Sequence, residues 1–160
     1  MYSVLDISRF VINYCDDKDY NLSNLKLQKI LYFIQAFFLC DDKFLKPCFE
    51  ETIEAWDFGP VVPEAYHEYK CFGNTNIPKV VSYIEYDASD FWKSKVVPFD
   101  DSMIAPEDKE IICKLVDKFA KYSTTSLVNI THRQSPWRDA YAQGRGSTIT
   151  HEAIRSYFNG

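Results

Sequence analysis

Few residues in this chain stand where types and spacing could do chemistry, and each such group has a plainer structural use. His67 and Cys71 lie four residues apart on a predicted helix, a spacing that can present two metal ligands together, and Cys48 is a conceivable third. A structural zinc site wants four ligands and no second pair exists, so a structural role outweighs a metal site. The three histidines His67, His132 and His151 have no nucleophile beside them in any recognisable pattern. Gly144-Arg145-Gly146-Ser147 is too short for a phosphate loop and lacks the Lys-Ser/Thr element that would follow. No catalytic residue, metal ligand or cofactor site is therefore assigned, and the expectation is a protein that is not an enzyme.

Nucleic acid is the next class to weigh. Two short predicted helices, 125–132 and 136–143, are joined by Arg133-Gln134-Ser135 and could imitate a helix-turn-helix with Arg138 and Arg145 nearby. Trp137 and Tyr141 share one stripe of the second helix, however, and Asp139 sits among the arginines. A packed C-terminal hairpin fits better. A net charge of −5 also argues against a broad basic face, so nucleic acid is not the expected partner.

Aromatic residues are the richer signal: 12 Phe and 11 Tyr in 160 residues, with 46% of the chain hydrophobic, are too much apolar mass for a disordered regulator. The five cysteines are odd in number and never spaced C-x-x-C, which suits reduced thiols in a cytoplasmic protein. The N-terminus has no basic, apolar export signal, and the apolar run 30–40 is too short to span a bilayer, so no membrane association is expected.

These residues must be positioned by a mainly helical fold: a single compact helical domain over 1–160, with one short strand near 50–58 and a possible second at 80–86. Ser3 and Asp6 begin a helix over 4–14, and Ser23 caps a wider apolar one over 24–39 that should cross the core. Pro106 opens a helix to Tyr122, Thr124 or Thr125 and Ser135 cap two short ones, and Thr150 caps the last. The segment 87–102 has no clean period and reads as a variable connection.

Between these helices lies the most distinctive stretch, 52–69. Ile53, Ala55 and Asp57 fall on one face of an extended segment, and Glu54, Trp56 and Phe58 on the other. Gly59-Pro60 is expected to break the strand, and Pro63 then suits the first turn of a helix carrying Tyr66 and Tyr69. Trp and Tyr beside a rigid Gly-Pro turn are core aromatics or interface anchors; the sequence leaves both open.

Three blocks carry a resemblance to a known family. The first is Leu25-Lys26-Leu27-Gln28-Lys29-Ile30-Leu31-Tyr32, followed by Gln35-Ala36. The second is Ala55-Trp56-Asp57-Phe58-Gly59-Pro60-Val61. The third is Thr131-His132-Arg133-Gln134-Ser135-Pro136-Trp137 with Ala140. Together and in order they resemble the Panacea domain of SocA-like antitoxins and phage-associated proteins. The resemblance marks Gln28, Gly59, Pro60, Val61, His132, Pro136 and Trp137 as motif positions with structural roles.

The resemblance implies a mostly helical antitoxin of a two-gene toxin–antitoxin system that neutralises a cognate protein toxin by direct contact. Its implied partners include small-alarmone-synthetase-like enzymes, other translation inhibitors and membrane-active small proteins. It also leaves two alternatives: a protease adaptor that delivers the toxin for degradation, or a phage accessory protein acting on nucleic acid. The residues set for partner contact are Trp56, Phe58, Tyr66, Tyr69 and Trp92, on a rigid platform (56–69) and an adjustable patch (87–102).

Overall fold

The computed structural model describes residues 1–160 and is mainly α, with seven helices and five short strands. The helices are α1 (Val4–Asp17), α2 (Asn24–Cys40), α3 (Pro63–Tyr69), α4 (Pro106–Phe119), α5 (Thr124–His132), α6 (Ser135–Ala142) and α7 (His151–Asn159). Side-chain caps start several of them: Ser23 Oγ accepts from Lys26 N, Ser123 Oγ from Ser126 N and Thr150 Oγ1 from Ala153 N. Ser123, rather than Thr124 or Thr125, caps α5, and Gln134, rather than Ser135, stands at the start of α6.

α2 is buried on nearly every side, with Leu27, Ile30, Leu31, Tyr32 and Ile34 all at 0% exposure. It crosses the middle of the molecule and packs against α4, α5, α7 and the hairpin that follows it. Truncating a side chain such as Leu31 to alanine there costs about 2–5 kcal/mol. Polar residues on such a helix need partners, and they have them. Gln35 accepts from Cys48 N at 2.7 Å and donates to Phe49 O, while Tyr32 donates to Gln134 Oε1 at 2.7 Å.

Two sheets complete the fold. β1 (Ile53–Trp56) lies between β2 (Gly59–Val61) and β5 (Thr148–Ile149), both antiparallel to it. The expected break at Gly59-Pro60 is thus a return: the chain turns through Asp57-Phe58 and pairs Trp56 with Gly59. Asp57, set on the strand face of Ile53 and Ala55 in sequence, is an exposed turn residue instead. The second sheet is a two-stranded ribbon of β3 (Ser82–Glu85) and β4 (Lys95–Pro98). β4 falls within the segment read as a variable connection, and it is a strand there through its antiparallel pairing with β3, which local periodicity does not show.

Candidate functional site: the braced aromatic hairpin

The β1–β2 hairpin is held from both sides by the motif residues. On the inner side, Gln28 Oε1 accepts from Val62 N at 3.0 Å, and Gln28 Nε2 donates to Asn24 Oδ1. Asn24 in turn donates to Tyr66 O at 3.0 Å, so one α2 pair fixes both the junction of β2 with α3 and the middle of α3. Lys29, one residue on, is fully buried and its Nζ donates to Pro60 O at 3.0 Å. No acidic side chain pairs with it, and burial pushes its ammonium down to about 7.

Gly59 makes this closeness possible. Its φ is +109°, and a Cβ there would stand 2.7 Å from Lys29 Cε and 2.8 Å from Thr131 Oγ1. Both reasons for a glycine, a left-handed backbone and a close approach, hold at this one position.

On the outer side, α5 and α6 hold the turn by its backbone. Trp137 Nε1 donates to Trp56 O at 2.8 Å. His132 Nε2 lies 3.0 Å from Asp57 O, and since a carbonyl only accepts, the imidazole donates. His132, Trp137 and Tyr141 stack in sequence, with ring centroids 4.1 and 4.7 Å apart. Tyr141 and Arg145 then both donate to Asp57 Oδ1, at 2.7 and 3.0 Å, and these bonds, Tyr141's first, hold the carboxyl below its usual range.

What the braced hairpin presents is aromatic. Trp56 meets Tyr66 edge to face at 4.9 Å, the Arg145 guanidinium lies 5.8 Å from its ring centroid, and Phe58 at the tip is 63% exposed. These residues line a cleft of about 410 Å³ together with Leu25 and Lys70. Two residues set with them lie elsewhere. Tyr69, one turn further along α3, is buried (5% exposed) and borders a different groove, beside Ile77 and Tyr83. Trp92 is 90% exposed but stands in the loop of the β3–β4 ribbon, outside this cleft.

The remaining candidates resolve simply. Val61, Pro60 and Pro136 are buried scaffold. Cys48 is buried, Cys71 is exposed, and His67 packs against Trp56 and Tyr66, so the three do not converge on one point. No cluster of three or more His, Cys, Asp or Glu side chains could hold a metal ion. No helix is long and apolar enough to cross a membrane. Asn24, Lys29, Asp57, Tyr141 and Arg145 carry much of the bracing without having been singled out. For Asn24 and Lys29 the signal was present, because polar residues set into an apolar helix must find buried partners.

The three elements that meet here, α2, the hairpin and the α5–α6 corner, are the three sequence blocks set out above. Residues 27–138 match the family described as "Antitoxin SocA-like, Panacea domain". The chain is 34% identical over 152 residues to the antitoxin SocA of Caulobacter vibrioides (strain NA1000 / CB15N), an alignment covering 89% of this chain and 73% of that protein. It belongs to the SocA-like Panacea domain family. No solved structure matches it.

Proposed function

We propose that this protein is an antitoxin that neutralises a cognate protein toxin by forming a stoichiometric complex with it. Membership of the SocA-like family supports the antitoxin role, and the geometry favours binding over catalysis as the means. The observation that carries this is the use to which the polar groups at the hairpin are put. His132, Asp57, Tyr141, Lys29 and Gln28 are each spent on a bond that holds the turn, which leaves the aromatics Trp56, Phe58 and Tyr66 to line the cleft among polar side chains such as Lys70 and Asn74.

A rigid aromatic platform of this kind is a good binder, because little ordering entropy is lost on association. Its exposed Phe58 has the character of an interface anchor. Trp92 and Phe91, 90% and 67% exposed on the neighbouring ribbon, are the second patch. The net charge of −5 suits a basic toxin surface.

The test is co-purification. Expressed with the product of its toxin gene, the tagged chain should elute as an equimolar complex. Combined Phe58→Ala and Trp92→Ala substitution should dissociate that complex while the antitoxin stays folded. A complex that survives both substitutions unchanged would move the interface elsewhere.

A further inference from the structure

β3 leaves half of its backbone unused. Phe99 N donates to Val81 O at 3.0 Å, so along an antiparallel ladder the hydrogen-bonded pairs continue at Tyr83–Val97 and Glu85–Lys95. The N–H and C=O groups of Ser82 and Ile84 therefore point away from β4. The outer edge of β4 carries the corresponding groups of Val96 and Pro98, and Pro98 has no N–H to give, a usual way of blunting a sheet edge. β3 has no such block. One residue pair upstream, Asn13 takes both Val80 N and Val80 O, at 2.7 and 2.8 Å, and closes the edge there. The open window is thus Ser82 to Ile84.

That window faces a groove of about 380 Å³ to which β4 contributes nothing. Tyr83 and Ile84 border it from the ribbon, and Phe72 and Ile77 border it from the body. The two basic residues of the groove are already engaged: Arg9 pairs with Asp6 and lies 3.6 Å from the Tyr83 ring centroid, and Lys79 pairs with Asp17. Glu68, also in the groove, is in no ion pair. It continues an acidic field along α3 to a second cleft, of about 510 Å³, lined by Glu50, Glu51, Glu54 and Glu64 without a basic residue. The charge of Glu64 is disfavoured by burial and then by Glu51 and Glu68, as a shared field requires.

We propose that the outer edge of β3 binds an extended segment of the partner protein, rich in lysine or arginine, as an added strand. The proposal rests on the partner-binding reading above and names the partner's chemistry. Two donors and two acceptors await a backbone, the groove takes alternate apolar side chains, and the acidic flank selects basic ones. A second copy of this chain fits poorly, since it would bring another net charge of −5 against the same acidic flank.

The test uses a fluorescein-labelled octapeptide, Lys-Val-Lys-Thr repeated twice, with Glu-Val-Glu-Thr and Lys-Pro-Lys-Thr versions beside it, read by anisotropy and by backbone amide NMR. The basic peptide should bind and shift the Ser82 and Ile84 amides, and the other two should bind about tenfold more weakly or worse. Ile84→Pro removes the outward N–H and should cost a similar factor. Val96→Pro makes the same change on the opposite edge, should leave binding unchanged, and controls for any general loosening of the ribbon. Absence of binding by the basic peptide, shifts confined to other residues, or equal affinity for Ile84→Pro would overturn the proposal. So would dimerisation in the ultracentrifuge that Ile84→Pro abolishes, which would give the edge to a second copy.

Co-expression with the toxin separates this from the functional reading. If wild type and Ile84→Pro neutralise equally, the strand proposal fails and the antitoxin assignment stands. If wild type does not neutralise, the assignment fails and the peptide result still decides the edge.

Discussion

Lys29 Nζ lies 3.0 Å from Pro60 O, a fully buried ammonium bonded to a hairpin carbonyl and paired with no carboxylate. Its burial, which disfavours the charged form, makes stability depend on pH. Lys29 is held down to about 7 in the fold, against 10.5 for an ordinary lysine. Between those values the unfolded chain carries a proton that the folded chain lacks, so stability rises with pH across this window. Below about 7 both states are protonated and the full penalty applies.

Lys29→Met removes the titrating group. It should flatten the rise in the urea midpoint between pH 7 and 9.5, a rise of at most about 1.4 kcal/mol per pH unit for one proton. The same slope in wild type and variant would show that Lys29 does not titrate in that window.

Gly59 carries a conformational demand and a packing demand at once. Gly59→Ala should cost about 2 kcal/mol or more, through strain at φ +109° and contact with Lys29 and Thr131. Pro60→Ala should be milder, about 1 kcal/mol, through added freedom of the unfolded chain. Thermal melts ranking Pro60→Ala as the more damaging of the two would contradict this geometry.

The sequence shows the hairpin's importance better than its shape. Gly-Pro after Trp56 was legible as a break, yet Gly59 pairs with Trp56 and starts β2, because the left-handed glycine lets the chain reverse within the Asp57-Phe58 turn. The seven helices were readable from caps and apolar spacing, since those signals are local. β5 was not, because Thr148-Ile149 is two residues long and is a strand only through its pairing with Ile53 and Glu54. The fates of Tyr66 and Tyr69 were equally hidden. Both fit a helix, but only packing decides that one edges a cleft while the other is buried. His132 and Trp137 were visible as motif residues, and their carbonyl partners on the turn required the tertiary fold.

His132 and Trp137 should behave as scaffold. Trp137→Phe keeps the stack and loses the bond to Trp56 O, at a cost of about 1 kcal/mol. His132→Gln should lower melting temperature and toxin neutralisation together. Neutralisation abolished at unchanged stability and unchanged partner affinity would instead point to a chemical role for the imidazole.

Phe58 and Trp92 should show the opposite behaviour. Both are largely exposed, so alanine at either should change stability by about 0.5 kcal/mol or less. Partner affinity should fall by about 1–2 kcal/mol or more for Phe58→Ala, the residue at the tip of the braced turn. Calorimetric titration against purified toxin checks both; loss of stability without loss of affinity would reassign these side chains to the fold.

Protection by a complex, and not by turnover, is decided by titrating purified toxin with this protein. Toxin activity should fall linearly and reach its floor near an equimolar ratio, with a stable complex recovered by gel filtration and no protease present. Full rescue at a small fraction of that ratio, without a complex, would rule out stoichiometric binding as the mechanism, as would rescue that appears only when a protease is added.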